Sequence, residues 1–185
     1  MKQKPVKSVF TALFAALICA GSVIAIPIGP VPITLQNAFA IMAGLLLGPL
    51  QGAGAVGLFL LAGALGLPVF SGGKGGLAII TGPTGGYLAG YFIGALVAGF
   101  ALERAKEKKG PITIPFIVSA AIAGFACIYI PGILVLKKTL GISLVDALVK
   151  GFIPFLAGDA IKIAVLIPIT YKLRPIVARY LSPDA

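Results

Sequence analysis

The sequence predicts an all-α integral membrane protein with six membrane-spanning helices. Its 185 residues are 59% hydrophobic and only 11% charged, whereas a soluble domain carries roughly 25% charged residues. Because a spanning helix needs about 20 residues, six spans take up roughly 120 residues and leave short loops. We therefore expect a single domain, residues 1–185, lying in the lipid bilayer.

Long apolar runs, separated by turn residues, define the expected spans. Gly48-Pro49 separates the second run from the third, and Pro131-Gly132 is expected to bend or interrupt the fifth. The six spans are expected at residues 8–26, 36–48, 51–66, 83–102, 112–136 and 151–171.

The net charge of +10 fits membrane flanks better than a nucleic-acid surface. The segments expected inside the cell hold three basic residues at the N-terminus, four between residues 104 and 109 and three after residue 171, ten in all. The outer segments hold four, namely Lys74, Lys137, Lys138 and Lys150. This bias predicts that both termini are cytoplasmic, and no nucleic-acid partner is expected.

The first span carries small residues at every fourth position, Ser8, Ala12, Ala16 and Ala20. A stripe of this kind lets another helix approach closely. On spacing alone, ordinary packing inside the bundle is the simpler interpretation. The alternative is a docking face for a separate membrane protein.

The segment between the first two spans is irregular and uncharged. Prolines at positions 27, 30 and 32 exclude a regular helix. Apolar backbone that is not helical is expected at the membrane surface or along a cavity. Gln36 and Asn37 follow, and they either turn their amides towards that cavity or mark the membrane interface.

Two glycine patterns suggest nucleotide sites but fail in context. Gly52, Gly54 and Gly57 spell GxGxxG, yet no strand precedes them and no acidic residue follows about 20 positions later. Gly73-Lys74 lacks the rest of a phosphate-binding loop. We expect close packing at the first pattern and no ATP site in this chain.

The densest turn chemistry lies between Gly66 and Tyr91. Residues 67–82 are expected to form a mobile loop that acts as a lid, with Lys74 as its cation. Pro83 is expected in the first turn of the fourth helix. Small residues recur every four positions along that helix, at Gly82, Gly86, Gly90, Gly94 and Ala98, and predict tight helix packing.

Asp159 and Lys162 are the only acidic and the only basic residue inside the expected spans. Three positions apart, they share one helical face, and each charge costs roughly 2.5–3.5 kcal/mol at mid-membrane on insertion scales. One interpretation is a self-neutralising pair that locks the sixth helix. The other is a polar floor for a ligand with hydrogen-bond donors and an anionic group.

Catalysis and metal binding are not expected. The chain has no histidine, and a single intramembrane carboxylate offers no acid–base pair. Cys19 and Cys127 lie in separate apolar runs and are expected to pack as small core residues. What remains is a protein that binds and moves a small solute, passively, by proton coupling through Asp159, or by a motor on another chain.

Four motifs together resemble one transporter family. PVPITLQ (residues 30–36), GLPVFSGGKGG (66–76), GPTGGYLAGY (82–91) and GDAIK (158–162) are similar to BioY, the biotin-specific S component of energy-coupling-factor vitamin transporters. The resemblance implies a six-helix S-component bundle in a bacterial plasma membrane, with no cofactor of its own. It also implies a transmembrane coupling subunit and two ATPases that use ATP. In S components an AxxxA pattern on the first helix contacts the coupling subunit, and Ala12 and Ala16 match it.

The resemblance also implies a site for biotin. Asp159 would accept from the ureido N–H groups, and Lys162 or Lys74 would pair with the valerate. Alternatively, Lys162 would donate to the ureido carbonyl while the valerate faces Lys74 or backbone N–H groups. Tyr87 and Phe70 are expected against the ring and alkyl chain. The remaining expected site residues are Gln36, Asn37 and Thr84. A site for another small vitamin-like acid and a stand-alone proton-coupled carrier remain the alternatives.

Overall fold

The computed structural model describes residues 3–109 and 113–181, and this part of the chain is a bundle of α-helices with one small β-hairpin. The hairpin pairs β1 (Ala25–Ile26) with β2 (Ile33–Thr34) in antiparallel register. The helices are α1 (Gln3–Ala20), α2 (Gln36–Leu47), α3 (Pro49–Ala64), α4 (Leu77–Ile80), α5 (Gly85–Lys109), α6 (Ile114–Leu140), α7 (Leu144–Gly151) and α8 (Leu156–Leu181).

Three described helical stretches are long and apolar enough to cross a membrane. They run over Gly85–Arg104, Ile114–Leu140 and Leu144–Leu181. Three shorter apolar helices accompany them, at Val6–Ala20, Gln36–Leu47 and Pro49–Ala64. Of the basic residues counted towards the cytoplasmic side, Lys2 lies outside the described residues, and the structure describes only the backbone at positions 4, 106, 108 and 109.

The glycine stripe of α5 packs against α6. A Cβ at Gly90 would come within 2.6 Å of the Ile128 carbonyl oxygen, and one at Gly94 within 2.7 Å of the Gly124 carbonyl oxygen. The backbones therefore touch where small residues face each other, as expected. The stripe begins at Gly86, because Gly82 and Pro83 lie in the turn before the helix rather than in its first turn.

Helix α2 lies at the centre of the bundle and is almost completely buried. It ends at Gly48, whose φ of 86° lies in the left-handed region that favours glycine. Pro49 occupies the first turn of α3, where its missing N–H costs nothing. In the GxGxxG pattern, a Cβ on Gly52 would meet the Gly44 backbone at 2.5 Å, so this glycine permits close helix packing.

The first and fifth expected spans differ from the helices observed. Helix α1 ends at Ala20, and residues 21–26 form a turn and β1. Helix α6 runs without interruption through Pro131 and ends only at Gly141, which takes the left-handed conformation of a helix C-cap. The expected interruption at Pro131 is therefore wrong.

Residues 137–150, which lie between the fifth and sixth expected spans, are largely helical. Lys137 and Lys138 form the last turn of α6, where cations interact favourably with the helix dipole. Ser143 then caps α7, its hydroxyl accepting from the Asp146 N–H at 3.0 Å. After α7, a short 3₁₀ turn over Ile153–Phe155 leads into α8.

The basic tail expected after residue 171 is also helical, because α8 continues to Leu181 with Pro168 and Pro175 inside it. Arg174 is buried, and its guanidinium donates to the Leu45 carbonyl near the end of α2. Glu103 lies close enough to interact with it electrostatically. Arg174, which was counted in the basic tail outside the expected spans, is therefore a second buried cation of α8 besides Lys162.

Candidate functional site

Asp159 and Lys162 lie one turn apart near the start of α8 and form a buried ion pair. The Lys162 Nζ–Asp159 Oδ1 distance is 2.9 Å, and the two residues are only 5% and 8% exposed. Each charge is thus compensated by the other in a buried place, where an unpaired charge would be costly.

Asn37, at the start of α2, closes this pair into a ring. Its Nδ2 donates to Asp159 Oδ1 at 3.0 Å, and its Oδ1 accepts from Lys162 Nζ at 2.9 Å. The same Oδ1 accepts from the Ala38 N–H at 3.0 Å, which fixes the amide orientation. The helix α2 terminus and α8 are therefore joined by a fully connected set of hydrogen bonds.

Tyr129 of α6 brings a third helix to the carboxylate. Its hydroxyl donates to Asp159 Oδ2, the oxygen that Asn37 and Lys162 leave free. We call Asn37, Tyr129, Asp159 and Lys162 the polar cluster.

Aromatic rings surround the Tyr129 side of the polar cluster. The rings of Tyr129 and Phe152 meet edge to face, with centroids 4.8 Å apart, and Tyr87 lies edge-on to Tyr129 at 6.2 Å. Phe155 stacks beside Tyr87 at 6.5 Å. The Tyr87 hydroxyl is occupied, donating to the Gly151 carbonyl at 2.8 Å. These contacts hold the end of α7 against α5 and α6.

The glycine-rich segment before α4, within the loop expected over residues 67–82, forms a hydrogen-bonded hairpin. Phe70 and Lys74 exchange backbone hydrogen bonds of 2.8 and 3.2 Å, and Gly72 and Gly73 make the reversal with φ of 74° and 68°. We call residues 66–76 the glycine hairpin. Its tight turn explains the glycines, since side-chain-bearing residues rarely adopt these angles.

Phe70 anchors the glycine hairpin in the bundle. It is 1% exposed and meets Phe59 edge to face at 5.4 Å. Gly63 makes room for it, because a Cβ there would collide with the Phe70 ring. Gln36 adds a polar tie, donating from Nε2 to the Val69 carbonyl at 2.9 Å. Phe70 and Gln36 thus hold the loop over the helices.

A cavity of about 290 Å³ lies under the glycine hairpin. Its walls come from the proline-rich segment before α2, the hairpin and the start of α5. The sequence-predicted residues among its lining are Gln36, Phe70, Lys74, Thr84 and Tyr87. The proline-rich segment therefore lines a cavity, one of the two places expected for it.

A smaller cavity, which we call the inner cavity, adjoins the polar cluster. Its volume is about 20 Å³, large enough for about one water molecule, and Asn37, Tyr129 and Lys162 are among its lining residues. The two cavities share the residues Val31, Pro32, Thr34, Tyr87 and Tyr91. Seven of the eight sequence-predicted site residues therefore line one or other of two cavities that have five lining residues in common. The eighth, Asp159, lies behind Asn37 and Lys162 and lines neither cavity.

Sequence reasoning missed Thr34, Tyr91, Tyr129 and Phe155, all of which line the inner cavity. Two signals were present in the sequence. Tyr91 follows Tyr87 by four residues and so shares its helical face. Tyr129 lies within an apolar run, where a hydroxyl needs a hydrogen-bond partner.

The small-residue stripe on α1 lies on the exposed side of the helix. Ser8, Ala12, Ala16 and Ala20 are all exposed, whereas Phe14, Ala15 and Ile18 form the buried face of α1. This contrasts with the stripe of α5, which is covered by α6.

Comparison with known proteins identifies the family. The profile of the BioY family matches residues 1–179. The chain is 40% identical over 162 residues to the biotin transporter BioY of Thermotoga maritima, covering 88% of this chain and 92% of that one. It is 45% identical over 163 residues to the biotin transporter BioY of Rhizobium etli, covering 85% and 87% of the two chains.

A solved structure has the same fold. The crystal structure of the S-component for biotin from an ECF-type ABC transporter matches with a TM-score of 0.85 and 35% identity, covering 94% of this chain and 93% of that chain. The helical bundle, the glycine hairpin and the buried pair on α8 thus occur in a chain whose sequence and fold both match this group. The chain belongs to the BioY family of membrane transporter proteins and has the fold of an S component.

Proposed function

We propose that this chain is the membrane subunit that captures biotin from outside the cell and mediates its uptake. The observation that carries the proposal is that the polar cluster lines a small cavity of about 20 Å³, which shares five lining residues with the 290 Å³ cavity, in a BioY-family fold. A charge pair that served only to lock α8 would have no need of a cavity beside it.

The proposed topology has six membrane-crossing segments in one domain, with both termini in the cytoplasm of a bacterial cell. Helix α2 supports the direction of entry. Its first residues, Gln36 and Asn37, line the cavities, whereas its last turn lies beside Arg174. The cavity is therefore at the opposite end of α2 from the basic C-terminal segment, which the positive-inside rule assigns to the cytoplasm.

Counting donors and acceptors indicates which part of biotin meets the polar cluster. A lysine ammonium has three donors, and Lys162 uses two of them, on Asp159 and Asn37. The Asn37 amide nitrogen has two donors and gives one to Asp159. Since the Asn37 oxygen already accepts two hydrogen bonds, both residues have only donors left for a ligand.

We therefore place the ureido carbonyl of biotin at Lys162 and Asn37, in agreement with the second of the two arrangements considered from the sequence. Asp159 then serves to hold these two donors rather than to touch the ligand. The ureido N–H groups would face the hydroxyls of Thr34 and Tyr91, which line both cavities. The ring would pack against Tyr87 and the apolar wall.

The valerate is then directed outward to Lys74. This lysine lines the outer cavity at the base of the glycine hairpin, together with Ser71. Its cation complements the carboxylate, and being exposed it contributes a salt-sensitive interaction of about 1 kcal/mol or less.

Ligand analogues test this orientation. An analogue whose ureido carbonyl is replaced by a guanidine C=NH presents a cation to Lys162 at neutral pH, so we expect it to bind at least about 10-fold more weakly than biotin. Desthiobiotin keeps the carbonyl and is the matched control. The orientation is wrong if the guanidine analogue binds as tightly as biotin.

A second test addresses the valerate. Lys74→Gln is expected to weaken biotin binding up to about 5-fold and to leave binding of biotinamide, which has no carboxylate, unchanged. Lys138→Gln, at an exposed position on α6, is the control. Equal losses for both ligands would contradict the assignment.

The energy source is proposed to lie on separate chains, a transmembrane coupling subunit and two ATPases, since we assign no ATP site to this chain. The support is the exposed stripe on α1 that contains Ala12 and Ala16. Small residues facing lipid leave room for a partner helix to approach closely. The stripe of α5, covered by α6, shows what such a surface does when its partner is present.

Leucine substitutions test the docking face. Ala12→Leu with Ala16→Leu is expected to leave biotin binding intact and to abolish partner-dependent uptake, because the added side chains prevent backbone contact. The control Leu13→Ile changes an exposed neighbour on the same helix without affecting the stripe. Unchanged uptake in the double variant would exclude this face as the docking surface.

Uptake that persists without the ATPases and follows the proton gradient would favour a stand-alone carrier instead.

A further inference from the structure

Tyr129 is the only described side chain found to hydrogen-bond Asp159 Oδ2. Asn37 and Lys162 both bond to the other oxygen, Oδ1, at 3.0 and 2.9 Å. A carboxylate held through one oxygen can rotate about its Cβ–Cγ bond, whereas one held through both oxygens cannot. The tyrosine hydroxyl therefore sets the plane of the Asp159 carboxylate.

The ring of Tyr129 is itself held in place on two sides. Phe152 lies edge-on at 4.8 Å, and Tyr87 lies edge-on at 6.2 Å. The Tyr87 hydroxyl donates to the Gly151 carbonyl, so it is not free to replace Tyr129 at the carboxylate. The position of the Tyr129 hydroxyl thus depends on packing between α5, α6 and the end of α7.

We infer that Tyr129 is a positioning residue for substrate binding, which acts by fixing the Asp159 carboxylate so that Lys162 and Asn37 aim their remaining donors into the cavity. The inference rests on the proposed function, since it concerns the same site. It explains why a hydroxyl lies in an otherwise apolar stretch of α6. Its effect on the ligand passes through Asp159, and this separates it from a residue that only fills space.

The test combines Tyr129→Phe with Asp159→Asn in a double-mutant cycle of biotin binding. Tyr129→Phe removes one oxygen and keeps the ring, and we expect it to raise the Kd between about 5-fold and 50-fold. In the Asp159→Asn background the same change is expected to raise the Kd less than about 2-fold, because the carboxylate that it orients is gone. Tyr171→Phe, at an exposed position on α8, is the control.

An infrared measurement follows the contact without any ligand. The chain has three aspartates, Asp146, Asp159 and Asp184, so labelling aspartate with ¹³C at the carboxyl carbon gives few bands. The spectra of Asp146→Asn and Asp184→Asn identify the bands of those two residues and leave that of Asp159. Tyr129→Phe is expected to shift the Asp159 carboxyl band, and Tyr171→Phe to leave it in place. This readout keeps the inference testable should Asp159→Asn fail to fold.

The outcomes separate the two proposals. Failure of the unmodified chain to bind biotin would overturn the proposed function, and the positioning role with it. Binding by the unmodified chain, with an unchanged Kd in Tyr129→Phe, would overturn the positioning role alone. So would an equal loss in both backgrounds, or an Asp159 band that does not move.

Discussion

Replacing Lys162 by methionine separates a structural role of the buried pair from a binding role. Methionine keeps much of the unbranched chain and removes the ammonium that contacts Asp159 and Asn37, both at 2.9 Å. Breaking a buried ion pair in a soluble protein typically costs about 3–5 kcal/mol. That figure does not apply here, because of where the two charges lie.

Asp159 and Lys162 belong to the same helix, three residues apart. Membrane proteins that lose their tertiary packing keep their helices, so the ion pair persists in the unpacked state and contributes little to the difference in free energy. What the substitution removes between helices is the bond from Lys162 to Asn37. Interhelical hydrogen bonds in membrane proteins average about 0.6 kcal/mol and reach about 1.7 kcal/mol. We therefore expect Lys162→Met to lower the free energy of unfolding by about 0.6–1.7 kcal/mol.

Biotin binding is expected to fall much further, by about 10-fold to 150-fold, since a hydrogen bond from a charged donor to the ligand is lost. Unfolding can be followed by titration with SDS in mixed micelles and a thiol-reactive dye, because Cys19 and Cys127 are free and partly buried. Lys150→Met, at an exposed position on α7, is the control. A loss above about 3 kcal/mol with biotin affinity retained would refute the argument and make the pair a structural lock.

Two further predictions concern packing outside the polar cluster. Gly90→Ala is expected to lower the free energy of unfolding by about 1–3 kcal/mol, since its Cβ would lie 2.6 Å from the Ile128 oxygen. The control Gly57→Ala, whose Cβ would be 3.7 Å from Phe92, should be neutral or stabilising, and SDS titration compares the two. Phe70→Ala should accelerate hydrogen exchange of backbone amides 69–76 without affecting α6, whereas Leu67→Ala, at an exposed position, should not. Equal effects within either pair would contradict the packing described.

The parts of the fold that the sequence predicted well are those where local chemistry and packing agree. The break at Gly48-Pro49 and the stripe of Gly86, Gly90 and Gly94 are examples, because each residue has one physical use at its position. The ends of α6 and α8 were predicted too early for a common reason. Lysine and arginine residues after each apolar run were taken to mark the end of the span. Composition does not show that the helix continues beyond the apolar run into a turn that carries these charges.

The glycine hairpin shows a second limit. Its glycines were read only as a mobile loop, and the sequence did not show that two of them supply the positive φ angles of a tight turn. The difference depends on Phe70, which is buried against Gly63 and Phe59. Both partners lie on α3, seven and eleven residues before Phe70, but this spacing alone does not show that the chain folds back so that Phe70 packs against them.

The site was predicted in outline because an intramembrane charge is rare and costly. Asp159, Lys162 and Asn37 do meet, although Asn37 was expected to belong to the site and not to bond to the charge pair. What the sequence did not show is the direction of each hydrogen bond. Only the structure reveals that Asp159 lies behind its partners and that Tyr129 from another helix completes its contacts.

Equilibrium binding of biotin to the detergent-purified chain, alongside Asp159→Ala and Lys162→Ala, tests the central claim most directly. The account predicts tight binding by the unmodified chain and its loss in both variants while they remain folded. Retention of binding in both variants would place the site away from α8, and absence of binding by the unmodified chain would exclude biotin as the ligand.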